Sequence, residues 1–588
     1  MSQHRPVPPE DVSLSADSAP EEAVSAQTLR PASAAQIRIA DLAESVRLRG
    51  QSVRLEGDSQ TTVTGISMDS REVQPGDLYV ALPGAHVHGA RFAATAARCG
   101  AQAVLTDQQG VELLEQAEIR LPCLIVESVR PIIGPLAAVI YDSRPADPQQ
   151  QRLFAVTGTN GKTTTTYMLT SLLGELGLGT GLIGTIEILA GEERIPSRLT
   201  TPESTHVHAL ITAMRERGLH GMAMEVSSHA LDYRRVDGVR YDVAGFTNLT
   251  QDHLDLHGSM QAYFDSKAQL FSPERTGRAV IVTDGPWGAK MADRAVEQLG
   301  RERVVTVATG DGRGLQDASP REREESDCST ADWTVREVRA DGIGHRFTLR
   351  HRDGGELRTG TGLPADFNVS NAALAAVMVA ESGIDVEQLA EVLTGPDALT
   401  PLVPGRMQLL SRCPVALVDF AHNPDALQRA LDAIRPRQDQ GKVIIVFGAT
   451  GERDRGKRPL MGRIAAEGAE VVIVTDDDPH AEDPAPIRRA VAEGAEQAIA
   501  EGARAEVVED IAPRAAAIRR AVELAGPEDS ILVAGRGHEV IQEIAGTDYV
   551  LDDREELRTA LQAAGCQILG EESLGEEPPT QSETGRSL

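Results

Sequence analysis

The residues Thr159-Asn160-Gly161-Lys162-Thr163-Thr164 follow the apolar run LFAVTG (153–158) and lead into the helical pattern TTTTYMLTSLLGEL. Glycines let backbone N–H groups close on an anion, and a helix N-terminus adds positive potential. In such a loop Lys162 can reach the β and γ phosphates of a nucleotide, and the Thr163 hydroxyl can ligate Mg²⁺. The segment from Gly158 to Thr164 therefore reads as a phosphate cradle, with a structural turn as the plainer alternative. Its spacing departs from G-x-x-x-x-G-K-[ST], because Val156 stands where the first glycine belongs. ATP is favoured over a dinucleotide, since no G-x-G-x-x-G follows an early strand.

A second group of candidates follows the runs MAMEVSS (222–228) and VAGFTNL (243–249). It comprises Glu225 and His229, then Asn248, Asp252, His253, Asp255 and His257 within TNLTQDHLDLHG. Carboxylates and imidazoles at strand ends facing a nucleotide loop are suited to holding Mg²⁺ against phosphates, with Glu225 the best hard oxygen ligand. Helix capping and loop bonding remain the bland alternative. Zinc on His253 and His257 lacks an obvious third soft ligand.

These residues must be held by parallel strands. LFAVTG, MAMEVSS, VAGFTNL and AVIVTD (279–284) are unbroken apolar runs of strand length, the pattern of strands buried on both faces. The arrangement repeats from about residue 403, where VALVDFA, KVIIVFGAT, VVIVTDDDP and ILVAGRG alternate with helical patterns. An earlier unit, about 36–148, carries shorter β-rich runs and ends in the polar stretch SRPADPQQQ, a plausible linker. In open parallel sheets ligands sit beyond the carboxyl ends of the strands, where the unusual residues fall. The expected domains are 36–148, 149–402 and 403–570. Residues 1–35 and 571–588 are expected to be disordered tails, and Gly310–Asp332 a surface loop.

With 588 residues, several domains are required at roughly 100–200 residues each. The 58 Lys and Arg against 88 Asp and Glu give a formal charge of −30, which opposes binding to nucleic acid or anionic lipid. No apolar stretch approaches the ~18 residues of a membrane helix, and no secretory signal opens the chain. The five cysteines lie far apart without a CxxC pair, which argues against a disulfide framework or structural zinc. A cytoplasmic protein is expected.

The chain resembles the Mur ligases, ATP-dependent amide ligases of peptidoglycan precursor synthesis, and within them the branch that adds the third peptide residue. The resemblance rests on motifs in family order: DSR (69–71) with GDLYVAL, TGTNGKTTT (157–165), TTPE (200–203), MEVSSHAL (224–231), TNLTQDHLDLHG, YFDSKAQLF (263–271), FNVSN (367–371), GRMQ (405–408), DFAHNPDAL (419–427), GERDRGKRPLMG (451–462) and GRGHEVIQ (535–542). The missing first glycine is what this family's loop shows. The resemblance implies an α/β protein of three domains. These are a domain for the uridine nucleotide, a central parallel-sheet ATPase domain, and a C-terminal Rossmann-like domain for the incoming amino acid.

The implied reaction phosphorylates the D-glutamate carboxylate of UDP-MurNAc-L-Ala-D-Glu with ATP. The resulting acyl phosphate is then attacked by the amino group of a diamino acid. The resemblance implies catalytic roles for Lys162, Glu225, His253 and Lys267. Thr163, Glu225, His253 and a carbamoylated Lys267 are implied as metal ligands. Asn371, Arg406, Asp419 and His422 are placed around the ATP. Ser70, Ala85, His86, Thr200, Thr201, Ser227 and Arg235 are matched to the UDP-sugar peptide, while Tyr233 stands where some members have a glutamine contact. An anionic nucleotide on so acidic a chain independently needs a fixed local cation, which Arg235 supplies. A monomer is expected.

Arg453, Asp477, Asp478, His480, Gly535 and Glu539 are matched to the amino-acid site. Members that add meso-diaminopimelate read Asp-Asn-Pro-Arg where this chain has Asp477-Asp478-Pro479-His480. Replacing a bidentate guanidinium and gaining a carboxylate favours the lone distal ammonium of L-lysine or ornithine over a distal carboxylate. Diaminopimelate stays open, because Arg453, Gly535 and Glu539 match its other contacts. Two other classes compete. A phosphate-loop NTPase acting on a partner would leave the C-terminal motifs unexplained. A folate-type relative would lack the DSR domain.

Overall fold

The computed structural model describes residues 29–84, 86–144, 151–310, 330–395, 398–435, 441–452 and 454–570. Three large sheets follow one another along the chain. The first holds β1 (Val53–Glu56), β2 (Gly65–Ser67), β3 (Asp77–Ala81), β4 (Ala103–Thr106) and β5 (Cys123–Val126), in the order β1-β5-β4-β3-β2. Only β1 runs antiparallel to its neighbour.

The second sheet has eleven strands: β6 (Arg152–Thr157), β7 (Thr180–Ile183), β8 (Glu187–Ala190), β9 (Glu193–Pro196), β10 (Gly221–Glu225), β11 (Tyr241–Phe246), β12 (Thr276–Val282), β13 (Val304–Ala308), β14 (Trp333–Asp341), β15 (Gly344–His351) and β16 (Glu356–Thr361). Their order is β9-β8-β7-β10-β6-β11-β12-β13-β14-β15-β16. The expected parallel sheet is its centre, from β7 to β14. Both edges are antiparallel hairpin extensions, which the search for unbroken apolar runs missed. In β14, for example, buried Trp333 and Val335 alternate with less buried neighbours, as befits a strand covered on one face.

The third sheet holds β17 (Gln408–Arg412), β18 (Val415–Asp419), β19 (Val443–Phe447), β20 (Val471–Val474), β21 (Val507–Asp510) and β22 (Ser530–Ala534). The order is β17-β18-β22-β19-β20-β21, parallel except for β17. A hairpin, β23 (Ile541–Ile544) with β24 (Thr547–Val550), follows it.

Successive side chains of a strand point to opposite faces, so an unbroken apolar run fills two cores. In β6, Leu153 and Ala155 join one buried cluster while Phe154 and Val156 join another. In β19, Val443, Ile445 and Phe447 enter one core and Ile444 and Val446 the other. Tyr79 and Ala81 of β3 likewise oppose Leu78 and Val80. Each sheet is thus a layer whose central strands are covered on both faces.

Several expected irregular stretches are corrected in part. Within the expected tail 1–35, Leu29 is buried in the middle core and Arg30 donates to Asp77 at 2.6 Å. Residues 1–28 and 571–588 lie outside the described residues. The linker has two fixed ends: Ser143 bonds the buried His208 at 2.6 Å, and the Gln151 amide donates to Ile211 O at 3.1 Å. Of Gly310–Asp332, residues 311–329 are not described, but Asp332 is buried and accepts from Thr306 N and Arg301. A carboxylate so placed pins the start of β14. No helix among the described residues is long and apolar enough to cross a membrane.

In the middle sheet the chain goes from β6 outward to β7, returns to β10, and then continues on the other side of β6 through β11 to β13. This reversal opens a crevice at the carboxyl ends of β6, β10 and β11. The phosphate loop, Glu225 and the 247–258 segment all leave from those ends.

Candidate functional site

Backbone conformation makes the loop after β6. Gly158 (φ +149°) and Gly161 (φ +87°) occupy regions open to glycine, and a Cβ would overlap Thr247 Oγ1 at the first and Asn371 Oδ1 at the second. Segment 247–250 clamps the loop from the end of β11. Asn248 Oδ1 accepts from Asn160 N at 3.1 Å, Asn248 O accepts from Thr159 N at 2.9 Å, and Thr247 Oγ1 donates to Asn160 O at 2.7 Å. Asn371, on the helix Phe367–Ala380, is held by its own donation to Asn368 at 2.9 Å.

Helix Lys162–Glu175 begins at the loop, and its first residues are the candidates Lys162 and Thr163. Lys162 Nζ donates to Gly158 O at 3.1 Å and Thr159 O at 2.9 Å. Burial lowers its pKa, and the nearby Arg406 lowers it further. Thr163 Oγ1 donates to Glu225 Oε2 at 2.9 Å. The fully buried Glu225 also accepts from Thr185 N at 2.7 Å and Thr185 Oγ1 at 2.9 Å. Glu225 and Thr163 thus present two hard oxygens at the cradle, a donor set suited to Mg²⁺, which takes few protein ligands and keeps water and phosphate oxygens. Among the described residues no three His, Cys, Asp or Glu are already grouped as a metal cluster.

Lys267, on helix Met260–Ala268, is buried and also donates to Gly158 O, at 2.8 Å, with its ammonium 4.5 Å from the centre of the Tyr263 ring. Burial, reinforced by Lys162, pulls its pKa well below the usual lysine value. Lys267 is therefore no solvated surface lysine of its helix.

His253 adopts φ +51° at the start of a short helical turn, and its ring lies 5.1 Å from that of His229. Burial brings its pKa to about 4, so the imidazole is neutral at neutral pH. His257 bonds Ser228 at 3.0 Å and stacks on Tyr263, away from a zinc pair with His253. Asp252 faces the third domain: His422 Nε2 lies 3.7 Å from its carboxylate and Asn423 Nδ2 donates at 3.5 Å. Burial would raise its pKa, but His422 holds it below the ordinary carboxylate value.

Other contacts close the same seam. Asn160 Nδ2 donates to Asp425 at 3.1 Å, and Arg406 reaches Thr163 Oγ1 at 3.5 Å while lying over the Phe420 ring. Asp419 accepts from Met407 N at 2.7 Å and Ala421 N at 2.9 Å, fixing the GRMQ turn. Lys457 donates to His422 O at 2.9 Å.

Beyond the seam opens a cavity of about 290 Å³ lined by Asp252 and His253 on one side and by His422, Asp477, Asp478, His480, Gly535 and Glu539 on the other. Gly535 (φ +111°) leaves room for Asp477 Oδ2. Glu539 is pushed up to about 8 by burial and by Asp477. The two residues on which the choice of amino acid was expected to turn are both engaged. Arg536 donates to Asp478 at 2.5 Å, and His480 Nδ1 meets Glu543 at 2.8 Å. Neither acts as an isolated charge. The acidity of the cleft comes instead from Asp252, Asp454, Asp477 and Asp478 together, with Glu539 a largely protonated acid at neutral pH, against Lys457 as its lysine. Arg453 is outside the described residues.

Arg536 and Arg514 were not singled out from the sequence. Arg536 is fully buried behind Asp478, and its place in GRGHEVIQ was the available signal. Arg514 had none. It pairs with buried Asp553 at 2.7 Å and donates to Asp476 O at 3.0 Å and Ala534 O at 2.8 Å, tying together the ends of β20 and β22.

The residues matched to the UDP-sugar peptide form one clear subgroup. Thr201 Oγ1 donates to Glu225 O at 2.8 Å and accepts from Ser227 N at 3.3 Å. Thr200 meets Thr185 at 3.1 Å, and Ser227 caps the next helix through Ala230 N. Arg235 donates to Glu203 at 3.0 Å and to Thr201 O at 3.4 Å. Ser70 is buried in the DSR loop, which reaches this group where Glu72 lies 3.4 Å from His206. His86 is exposed on the loop before His88, and Ala85 is not described.

Comparison with known proteins gives three family profiles in chain order. These are the Mur ligase family catalytic domain over residues 62–141, the Mur ligase middle domain over 156–379, and the Mur ligase glutamate ligase domain over 405–537. A UDP-N-acetylmuramyl-tripeptide synthetase of Leifsonia xyli subsp. xyli is 42% identical over 526 residues, 89% of this chain and 96% of its own. A UDP-N-acetylmuramoyl-L-alanyl-D-glutamate--2,6-diaminopimelate ligase of Streptomyces coelicolor is 41% identical, covering 86% of this chain and 93% of its own. A solved structure of a ligase bearing that same name superposes with a TM-score of 0.59 at 28% identity, covering 91% of this chain and all of the other.

Proposed function

Because the chain belongs to the Mur ligase family, we propose that it joins a diamino acid, L-lysine first among them, to the D-glutamate carboxylate of UDP-MurNAc-L-Ala-D-Glu with cleavage of ATP. The observation that carries this reading is the shared cleft. Asp252 and His253 of the middle domain, at the end of the segment that clamps the phosphate loop, lie on one side of it, and Asp477, Asp478 and Glu539 of the third domain on the other. An ATPase acting on a separate partner does not need that second wall.

In this reading the loop N–H groups, Lys162 and Arg406 neutralise the γ-phosphoryl group as it passes to the D-glutamate carboxylate. Asn371, Asp419 and His422 border the nucleotide and hold the loop and the GRMQ turn. Thr163 and Glu225 would hold Mg²⁺, with neutral His253 and a carbamoylated Lys267 as further ligands; the metal supplies charge neutralisation on the phosphates. Lys267 suits carbamoylation, because burial and the neighbouring Lys162 disfavour its ammonium form and so favour the free lone pair that attack on CO₂ needs. Thr200, Thr201, Ser227 and Arg235, with Ser70, Ala85 and His86, are assigned to the UDP-sugar peptide. We take the enzyme to act in the cytoplasm as a monomer.

The acidic cleft favours a side chain that ends in an ammonium, hence L-lysine or ornithine. A second reading, meso-diaminopimelate, is favoured by the names of relatives about 40% identical and by Arg536, which compensates the Asp478 charge. Phosphate release with ATP, Mg²⁺ and UDP-MurNAc-L-Ala-D-Glu, in parallel reactions with L-lysine, L-ornithine and meso-diaminopimelate, decides between them. Turnover with lysine alone supports the first reading, and turnover with diaminopimelate alone replaces it.

A further inference from the structure

A larger cavity, of about 570 Å³, lies away from the catalytic seam, between the first and middle domains. Its walls are the C-terminal end of helix Ile39–Leu48, helix Arg130–Ile140, the turn 234–240 and the loop 273–275. Five arginines line it: Arg49, Arg144, Arg234, Arg240 and Arg275. Two acids, Asp237 and Glu274, oppose them. Asp237 is already shared between Arg234 at 3.0 Å and Arg275 at 2.6 Å. Arg144 donates through Nε to the backbone carbonyl of Gly238. Among the described residues no carboxylate forms an ion pair with Arg49, Arg144 or Arg240. Asp242 is within electrostatic reach of Arg240 but accepts from Leu153 N at 2.7 Å. Arg275 Nε is buried without a hydrogen-bond partner.

A chain with a net charge of −30 has here gathered guanidinium groups faster than carboxylates. Like charges at close range cost free energy that only a counter-anion recovers. The crowding registers on Arg144, whose pKa is lowered by burial and then by Arg49 and Arg240, more than the nearby Glu274 raises it. Guanidinium does not deprotonate, so the strain is relieved by an anion rather than by proton loss. Planar guanidinium forks match phosphate oxygens two at a time.

We propose that this interdomain cavity binds a compact polyphosphate anion of the diphosphate class, held by Arg49, Arg144 and Arg240. The occupant touches both domains and borders Arg234, the residue before Arg235 in the turn after helix Ser228–Asp232. It therefore braces the first domain against the middle one. This assignment is independent of which amino acid the enzyme adds.

The test uses the full-length protein saturated with a non-hydrolysable ATP analogue, so that the phosphate loop is filled, and inorganic pyrophosphate as the titrant in calorimetry. The wild type is expected to bind one equivalent, with affinity falling as salt rises. Arg49→Ala/Arg240→Ala, two exposed side chains whose loss leaves the cores intact, is expected to weaken binding at least tenfold. Arg235→Ala is expected to leave it unchanged. Retained binding in the double variant, or loss in Arg235→Ala alone, would place pyrophosphate elsewhere and overturn the proposal. So would equal competition by sulfate at matched ionic strength, or the absence of saturable binding. A melting temperature of the double variant within about 2 °C of wild type excludes unfolding as the cause.

Discussion

Two lysines share one carbonyl at the heart of the site. Lys162 and Lys267 both donate to Gly158 O, and the second is displaced further from its normal pKa. Replacing Lys162 with Ala removes a preorganised donor at the transferred phosphate and should lower kcat about 10²–10³-fold, read by phosphate release. Glu539 gives a pH signature. Its folded pKa of about 8 lies above the ordinary value of 4.5, so at pH 7 the acid is largely protonated and presents little charge to an ammonium. Ionisation as pH rises through 8 strengthens attraction to a cationic side chain. The KM for lysine should therefore fall between pH 7 and 9, and the dependence should flatten in Glu539→Gln. A raised acid also means that the folded state binds more protons than the unfolded state between those two pKa values, so this group's effect on stability becomes less favourable as pH rises through that window.

Strands and loops set where such residues stand, and Arg514 does this for the third-domain side of the cleft. Its pair with Asp553 is fully buried on both sides, and it also bonds the backbone at the ends of β20 and β22. Arg514→Met leaves a buried carboxylate uncompensated and should cost ~3–5 kcal/mol in urea denaturation of the third domain, with a raised KM for the amino acid and an unchanged KM for ATP. At the phosphate loop, Gly161→Ala meets both the positive φ and Asn371. The left-handed conformation alone costs ~1–2 kcal/mol, and the loop should bind ATP less tightly in nucleotide titrations.

Across the whole molecule the candidate site lies where the middle and third domains meet. Asn160 in the phosphate loop donates to Asp425, while Asn423 reaches both Asn160 and Asp252. These polar contacts stand beside a small apolar one, in which Ile343, Ala365 and Phe367 of the middle domain pack against the third-domain core, and polar contacts of this kind can open and close with turnover. Asp425→Ala removes one hydrogen bond worth ~1 kcal/mol, so the closed form should be less populated and kcat several-fold lower. Small-angle scattering should show a larger radius of gyration for that variant in the presence of nucleotide.

The sequence by itself determined the central sheet and the cradle. Unbroken apolar runs such as Phe154–Val156 have one physical meaning, burial on both faces, and the Gly161-Lys162-Thr163 step after such a run has few other uses. It also carried the order of the family motifs. It missed the edge hairpins β8–β9 and β14–β16, whose alternation is diluted by polar residues on the open face. Only the tertiary structure decided the pairings. Arg536 lies 58 residues beyond Asp478 in the chain, yet it pairs with that carboxylate, and Arg514 couples two strand ends without belonging to any motif. The basic cavity between the domains was equally hidden, since its arginines are scattered over more than 200 positions of an acidic chain and only folding gathers them. Local pattern is written in neighbouring residues, whereas electrostatic pairing depends on distances in space that the chain closes only when its cores pack.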